Sequence, residues 1–137
     1  MPITPQQRSE LIQRALEVRE RAYVPYSHYA VGAALLAESG GVYLGVNVEN
    51  ASYPLSMCAE RNAVFRAVTE GEKGFQAIVV ATENGGSPCG ACRQVLSEFG
   101  LATEVLAVNA KGEVVLETTV GGLLPQAFRP EDLDGAA

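Results

Sequence analysis

Phe75-Gln76-Ala77-Ile78-Val79-Val80-Ala81 is the stretch on which the fold turns. Every side chain in it but Gln76 is apolar. A short apolar run without alternation reads as a strand buried on both faces, at the centre of a sheet. Working outward, Gly71 to Gly74 separates it from a preceding helix, read from about Met57 to Val68. The apolar stripe of that helix is Ala59, Ala63, Val64, Ala67 and Val68, small enough to lie close against a sheet. After the strand, Glu83 to Ser87 forms a loop, and Ser87-Pro88 opens a helix that reaches about Phe99. A strand over Glu104 to Val108, a turn over Asn109 to Gly112, and a strand over Glu113 to Thr119 follow. Val120 to Leu124 reads as a short helix. Upstream, Thr4-Pro5-Gln6-Gln7 has the form of a helix start, with Thr4 as N-cap, Pro5 in the first turn and Gln7 placed for a capping box. That helix is predicted to run to about Ala22, where Val24-Pro25 breaks it. Tyr29 to Ala37 and Val42 to Val48 are two strands joined by the turn Glu38-Ser39-Gly40-Gly41, hence a hairpin. Helices alternating with strands through the middle imply parallel pairing and helices on both sheet faces. The expectation is a three-layer α/β/α sandwich with a mixed five-stranded sheet, in one domain spanning residues 1–137. Asp134-Gly135-Ala136-Ala137 are expected to fray.

Composition narrows the function. Ten basic against sixteen acidic residues give a net charge of −6, and two of the basic residues are lysines. A surface for polymeric nucleic acid should be basic, because phosphate contacts supply most of the affinity. Long nucleic acid is therefore not expected as a partner, whereas a small uncharged nucleoside remains open. The N-terminus lacks a basic-then-apolar signal pattern and no apolar run has the length of a membrane span. Three cysteines cannot all pair with one another, which argues against a secreted disulfide framework. The expected location is the cytoplasm, with no membrane partner.

All three cysteines lie in two short segments, Cys58-Ala59-Glu60-Arg61 and Pro88-Cys89-Gly90-Ala91-Cys92-Arg93-Gln94. Cys89 and Cys92 are three apart, so on a helix they share a face and reach one ion. Cys58 and Glu60 are two apart, which on a regular helix would point them in opposite directions. Both face one pocket only if they lie at the irregular start of the second helix. Two helix N-termini would then converge on the cysteines, and their partial positive charge favours thiolates. Three thiolates leave one position of a zinc tetrahedron open for a reacting water, and C-x-E followed by P-C-x-x-C matches a zinc deaminase signature. The charge sum then matters. Three thiolates and a dication carry one net negative charge, which weakens the metal as a Lewis acid unless something withdraws charge. Arg61 and Arg93 are the candidates for hydrogen bonds to the thiolates, with Arg61 favoured because it sits at a helix start among small residues. An exposed ion-pair role for either arginine is the plain alternative. A redox dithiol would leave Cys58 unexplained, and a structural zinc site would need a fourth protein ligand. His28, the single histidine, is read as a loop residue rather than a ligand. Asn47-Val48-Glu49-Asn50 ends the second strand with an amide and a carboxylate on one face, suited to gripping a diol. A solvated strand end is the alternative there.

With these segments in order, the chain resembles the short, homotetrameric, three-cysteine cytidine deaminases. The likeness rests on Pro25-Tyr26-Ser27-His28, Val31-Gly32-Ala33-Ala34, Asn47-Val48-Glu49-Asn50-Ala51, the two cysteine segments, and Leu123-Leu124-Pro125-Gln126-Ala127-Phe128. It implies one Zn²⁺ per subunit, held by Cys58, Cys89 and Cys92. Glu60 would take a proton from the activated water, pass it to N3 of cytosine and then protonate the departing amine. Asn47 and Glu49 would bind the ribose hydroxyl, and Ala59 and Tyr29 would contact the substrate. Tyr53 would lie near the sugar at a subunit contact, and Phe128 would reach the base from a neighbouring subunit of a homotetramer. Without the resemblance, Phe128 reads as core packing. Arg61 and Gln94 would support the metal ligands from behind. One departure is Tyr29-Ala30, where relatives commonly carry Phe-Pro; the Tyr29 hydroxyl then needs a partner. The activity implied is hydrolytic deamination of cytidine and 2′-deoxycytidine in pyrimidine salvage. The alternatives are deamination of a modified cytosine nucleoside and a zinc-stabilised interaction domain without catalysis.

Overall fold

The computed structural model describes residues 2–134; the fraying expected at the C-terminus falls, from residue 135 on, outside that range. Helix α1 covers Pro5–Arg19 and begins as its sequence dictates. Thr4 caps the Gln7 N–H and the Gln7 side chain returns to the Thr4 N–H, which satisfies two of the orphan donors of the first turn. It ends three residues before the expected boundary, and the chain crosses back to bridge Tyr23 to Val48.

Strands β1 (Gly32–Ala37) and β2 (Val42–Val46) form the expected antiparallel hairpin. Both are shorter than their apolar runs. Tyr29 to Val31 are not in the ladder, because the Asn47 side chain occupies the Tyr29 carbonyl and the Val31 N–H. A 3-10 turn over Tyr53–Leu55, not foreseen, leads to α2 (Ala59–Thr69), then β3 (Phe75–Ala81), α3 (Gly90–Ser97), β4 (Glu104–Val108) and β5 (Val114–Thr119). Two short helices close the chain, α4 (Val120–Leu123) and α5 (Pro130–Asp134), the latter also not foreseen. Helix α3 starts two residues beyond Pro88, so Cys89 is its N-cap rather than part of it.

The sheet order is β2-β1-β3-β4-β5. Among the described strands, β3 and β4 alone pair in parallel; β1 lies antiparallel to both β2 and β3, and β5 antiparallel to β4. β3 sits at the centre and is buried along its whole length except Gln76. Its side chains divide between two cores. Ala77, Val79 and Ala81 face α1, with Leu11, Ala15, Leu36 and Leu106. Ile78 and Val80 face α2 and α3, with Leu35, Val64, Leu96 and Val105. Each such buried branched side chain contributes about 1.5–3 kcal/mol relative to exposure. The layers are therefore α1, sheet, and α2 with α3.

Two glycines set the helix distances. A Cβ on Gly32 would fall onto the Ala15 carbonyl of α1, and one on Gly45 onto the Ala59 carbonyl of α2. The second approach holds the first turn of α2 against β2, and the Asn62 side chain adds a 2.7 Å hydrogen bond to the Val46 carbonyl. Among the described residues no helix is long and apolar enough to cross a membrane.

Candidate active site

The starts of α2 and α3 meet beyond the carboxyl end of β3, the position where open α/β sheets leave a crevice. Cys58 is the N-cap of α2 and Cys89 the N-cap of α3, both in extended backbone, and neither helix start is capped by a side-chain hydrogen bond. The first-turn N–H groups therefore face the cysteines unscreened, with the positive ends of two helices. Cys92, one turn into α3, is fully buried. Cys58 Sγ stands 3.8 Å from Cys89 Sγ, and Cys89 Sγ 3.4 Å from Cys92 Sγ. All three sulfurs lie within 4.8 Å of one another.

That spacing fits a metal. Thiolates at about 2.3 Å from zinc on tetrahedral corners stand roughly 3.8 Å apart. In the metal-free protein the cluster holds charge unequally. A hydrogen bond from the Cys92 thiol, assisted by Arg61 and Cys89 against the cost of burial, draws the Cys58 thiol down from 9.0 to about 5. Cys92 moves up, because it donates to Cys58 and is itself buried. A proton shared in this way is what a soft dication displaces.

Arg61 lies one turn into α2. Its Nη2 donates to Cys58 Sγ at 3.2 Å, and the thiolate holds the guanidinium more firmly protonated than usual. Its Nε is buried without a hydrogen-bond partner among the described residues. Arg93 is engaged elsewhere, with the Pro88 and Leu123 carbonyls and the Ser87 hydroxyl. Of the two arginines, Arg61 is the one at the thiolates. Gln94 donates to the Phe128 carbonyl at 2.9 Å and so ties the C-terminal segment to α3.

Glu60 follows Cys58 by two positions and faces the same cavity, since Cys58 is outside the helix. It is 5% exposed. Burial raises its carboxyl from 4.5 to about 7, with the Cys58 charge adding to the rise, while its own N–H and Arg61 oppose it. A carboxyl poised there takes and gives protons near neutral pH. The cavity holds about 290 Å³ and is lined by Glu60, Cys58, Cys89, Ala59, Asn47 and Glu49, with Tyr29 on its wall.

Asn47 and Glu49, expected on one face of a strand, both reach this cavity, although β2 ends before them. Asn47 holds Tyr29 and Val31 through their backbones. Glu49 accepts from the Tyr26 and Ser27 N–H groups and from the Ser27 hydroxyl. The Ser27 hydroxyl, first among these donors, keeps Glu49 below the usual carboxylate range. Beside it, a cavity of about 300 Å³ is lined by Tyr26, Ser27, Glu49, Tyr53 and Ser56. Tyr53 is 68% exposed and meets Tyr26 edge-on, with ring centroids 5.7 Å apart. Phe128 is 57% exposed, so packing into the core of its own chain does not account for it. His28 adopts φ 58 in a turn and is not part of the sulfur cluster.

The sequence motifs assign no role to three residues here. Ser27 braces Glu49. Thr82 accepts from the Gly85 and Gly86 N–H groups and shapes the loop leading to Cys89. Asn84 accepts the Tyr29 hydroxyl at 2.7 Å. Thr82-Glu83-Asn84-Gly85-Gly86 at a strand end does signal a side-chain-braced turn, but not what the turn supports.

Comparison with known proteins agrees with this arrangement. Residues 5–108 match the model of the cytidine and deoxycytidylate deaminase zinc-binding region. The chain is 51% identical over 131 residues to a cytidine deaminase of Sporosarcina psychrophila, covering 93% of this chain and 96% of that one. A cytidine deaminase of Halalkalibacterium halodurans is 50% identical over 130 residues, covering 93% and 98%. The crystal structure of cytidine deaminase from Burkholderia pseudomallei superposes with a TM-score of 0.84 at 47% identity, covering 92% of this chain and all of that one.

Proposed function

The chain belongs to the cytidine and deoxycytidylate deaminase family, and on that footing we propose that it hydrolyses cytidine and 2′-deoxycytidine to uridine and 2′-deoxyuridine, releasing ammonia. The observation that carries the reading is a buried carboxyl, raised to about 7, in one cavity with Cys58 and Cys89 of the three-sulfur cluster. Zinc held by Cys58, Cys89 and Cys92 would supply a Lewis acid that makes water nucleophilic near neutral pH.

The residues of the chain do the rest. Glu60 accepts a proton from the water that attacks C4 of the base and gives it to N3. The second proton of that water passes from the new C4 hydroxyl through Glu60 to the amine, which leaves as ammonia, and C4 keeps the oxygen as a carbonyl. Positioned proton transfer of this kind contributes about two to four orders of magnitude. Arg61 draws charge from Cys58, offsetting the excess negative charge of three thiolates. Asn47 and Glu49 grip the ribose hydroxyls, with Glu49 kept ionised by Ser27. Ala59 and Tyr29 bound the base and sugar.

The exposed Tyr53 and Phe128 support an assembly in which neighbouring subunits complete each site, and we take this to be a homotetramer. Placement in the cytoplasm is part of the same proposal and is supported by three free cysteines, and a role in pyrimidine salvage is supported by the nucleoside substrate. The test is ammonia release from cytidine, with and without a zinc chelator, alongside metal analysis. Ammonia in step with loss of cytidine absorbance, abolished by the chelator and restored by zinc, is the expected result. Zinc-loaded protein that leaves every cytosine nucleoside unchanged would contradict it.

A further inference from the structure

Tyr29 lies on the wall of the 290 Å³ cavity, between the left-handed His28 and the first residue of β1. No ladder holds this stretch, yet Tyr29 is fixed at three points. Its N–H donates to Ser27 Oγ at 3.0 Å and its carbonyl accepts from Asn47 Nδ2 at 2.8 Å. Its hydroxyl crosses to the loop between β3 and α3 and donates to Asn84 Oδ1 at 2.7 Å. The first two contacts belong to the group read as gripping the sugar. The third belongs to the loop that delivers Cys89.

The loop is shaped around that hydroxyl. Asn84 Oδ1 also faces Thr82 Oγ1 at 3.4 Å, and Thr82 Oγ1 in turn accepts from the Gly85 and Gly86 N–H groups at 2.8 and 2.9 Å. The acceptor is thus held by a chain of hydrogen bonds rather than by a free rotamer. On the other side, a Cβ on Gly86 would stand 2.8 Å from the Tyr29 hydroxyl. An acceptor is provided on one side and a side chain is missing on the other. A phenylalanine at position 29 would need neither.

We propose that Asn84, acting through the Tyr29 hydroxyl, is a positioning residue that fixes the aromatic wall of the nucleoside pocket and so sets nucleoside affinity more than turnover. The proposal rests on the deaminase reading above. Holding the ring before substrate arrives spares the cost of ordering it on binding.

The test compares Tyr29→Phe, Asn84→Ala, Asn84→Asp and the Tyr29→Phe/Asn84→Ala pair with the zinc-loaded wild type. The readouts are KM and kcat for cytidine, the Kd of uridine by calorimetry, and bound zinc. Loss of one neutral hydrogen bond corresponds to a change of about two- to tenfold. Each of Tyr29→Phe and Asn84→Ala is expected to raise KM and Kd by that factor, with kcat moving less and zinc unchanged. The double variant should be no worse than either single one, since both break the same contact. Asn84→Asp keeps the acceptor and should restore binding. Gly86→Ala should weaken binding more in the wild type than in the Tyr29→Phe background. Additive losses, failure of Asn84→Asp to restore binding, or loss of activity that tracks loss of zinc would overturn the tether. A wild type that turns over cytidine while all variants match it overturns the tether alone. A wild type that neither binds uridine nor releases ammonia overturns the deaminase reading and the tether with it.

Discussion

Replacing Arg61 by alanine probes the electrostatic demand of a three-thiolate centre. The guanidinium donates to Cys58 Sγ at 3.2 Å and keeps a buried, unpartnered Nε, so the side chain gives up solvation to sit at the sulfurs. Two full charges at that distance attract by about 5 kcal/mol at an effective dielectric near 20. A hydrogen bond to a charged group is worth a net of about 1.5–3 kcal/mol once hydration is counted. The smaller figure decides here, because bound metal would already balance most of the thiolate charge. Expressed fully in the transition state, it lowers kcat by about ten- to a hundredfold. KM should move less, since Arg61 is not on the cavity wall. Removing a cation also makes the activated water less acidic, so the pH at which the rate levels off should rise. Arg61→Gln, which retains a neutral donor, should fall between. A readout independent of turnover uses the metal-free protein, where Cys92 and Arg61 hold the Cys58 thiol well below the usual thiol range. Below neutral pH it should react with iodoacetamide faster than an ordinary thiol, as followed by peptide mass, while the Arg61→Ala protein should react more slowly. Near-wild-type kcat together with an unchanged alkylation rate would refute the reasoning.

Other outcomes follow from the same geometry. Glu60 titrates at about 7 in the metal-free fold against 4.5 unperturbed. The folded value is the raised one, so its favourable contribution is complete below pH 4.5 and is lost as pH rises through 7. At 1.36 kcal/mol per pH unit the ionised form costs the metal-free fold about 3 kcal/mol at pH 8. Metal-free Glu60→Gln should therefore unfold at higher urea than wild type at pH 8, and the difference should shrink toward pH 5. Gly45→Ala forces a Cβ onto the Ala59 carbonyl and should cost about 1–3 kcal/mol in urea unfolding while lowering zinc content, because the first turn of α2 carries Cys58. Phe128→Ala removes a ring with 57% exposure, so Tm should hold while KM for cytidine rises if, as proposed, Phe128 reaches a neighbouring subunit's pocket.

Much of this was legible from residue order, for identifiable reasons. β3 and β4 match their predicted bounds because buried strands are set by apolar runs alone. The α1 start was legible because Thr4, Pro5 and Gln7 specify a cap locally. Boundaries failed where tertiary hydrogen bonds replaced the ladder, as at Tyr29 to Val31, whose partners are on Asn47. Pro88 suits a first turn, so residue order alone starts α3 too early; Cys89 takes the N-cap instead. At the site, Cys58 and Glu60 could be assigned to one pocket from spacing once an irregular helix start was allowed, and the N-cap position of Cys58 is that irregularity. Arg61 could be preferred over Arg93 only weakly, since what removes Arg93 is three contacts with Pro88, Ser87 and Leu123. Asn84 was not legible, because its role depends on a hydroxyl 55 residues away.

The most direct test is Glu60→Gln, measured for zinc per chain and for ammonia released from cytidine in one preparation. With the three sulfurs untouched and the buried carboxyl made neutral, the expected result is one zinc per chain and turnover lower by about two to four orders of magnitude. Full zinc with near-wild-type turnover would contradict the assignment of Glu60 as the proton carrier, and with it the chemistry proposed for this site.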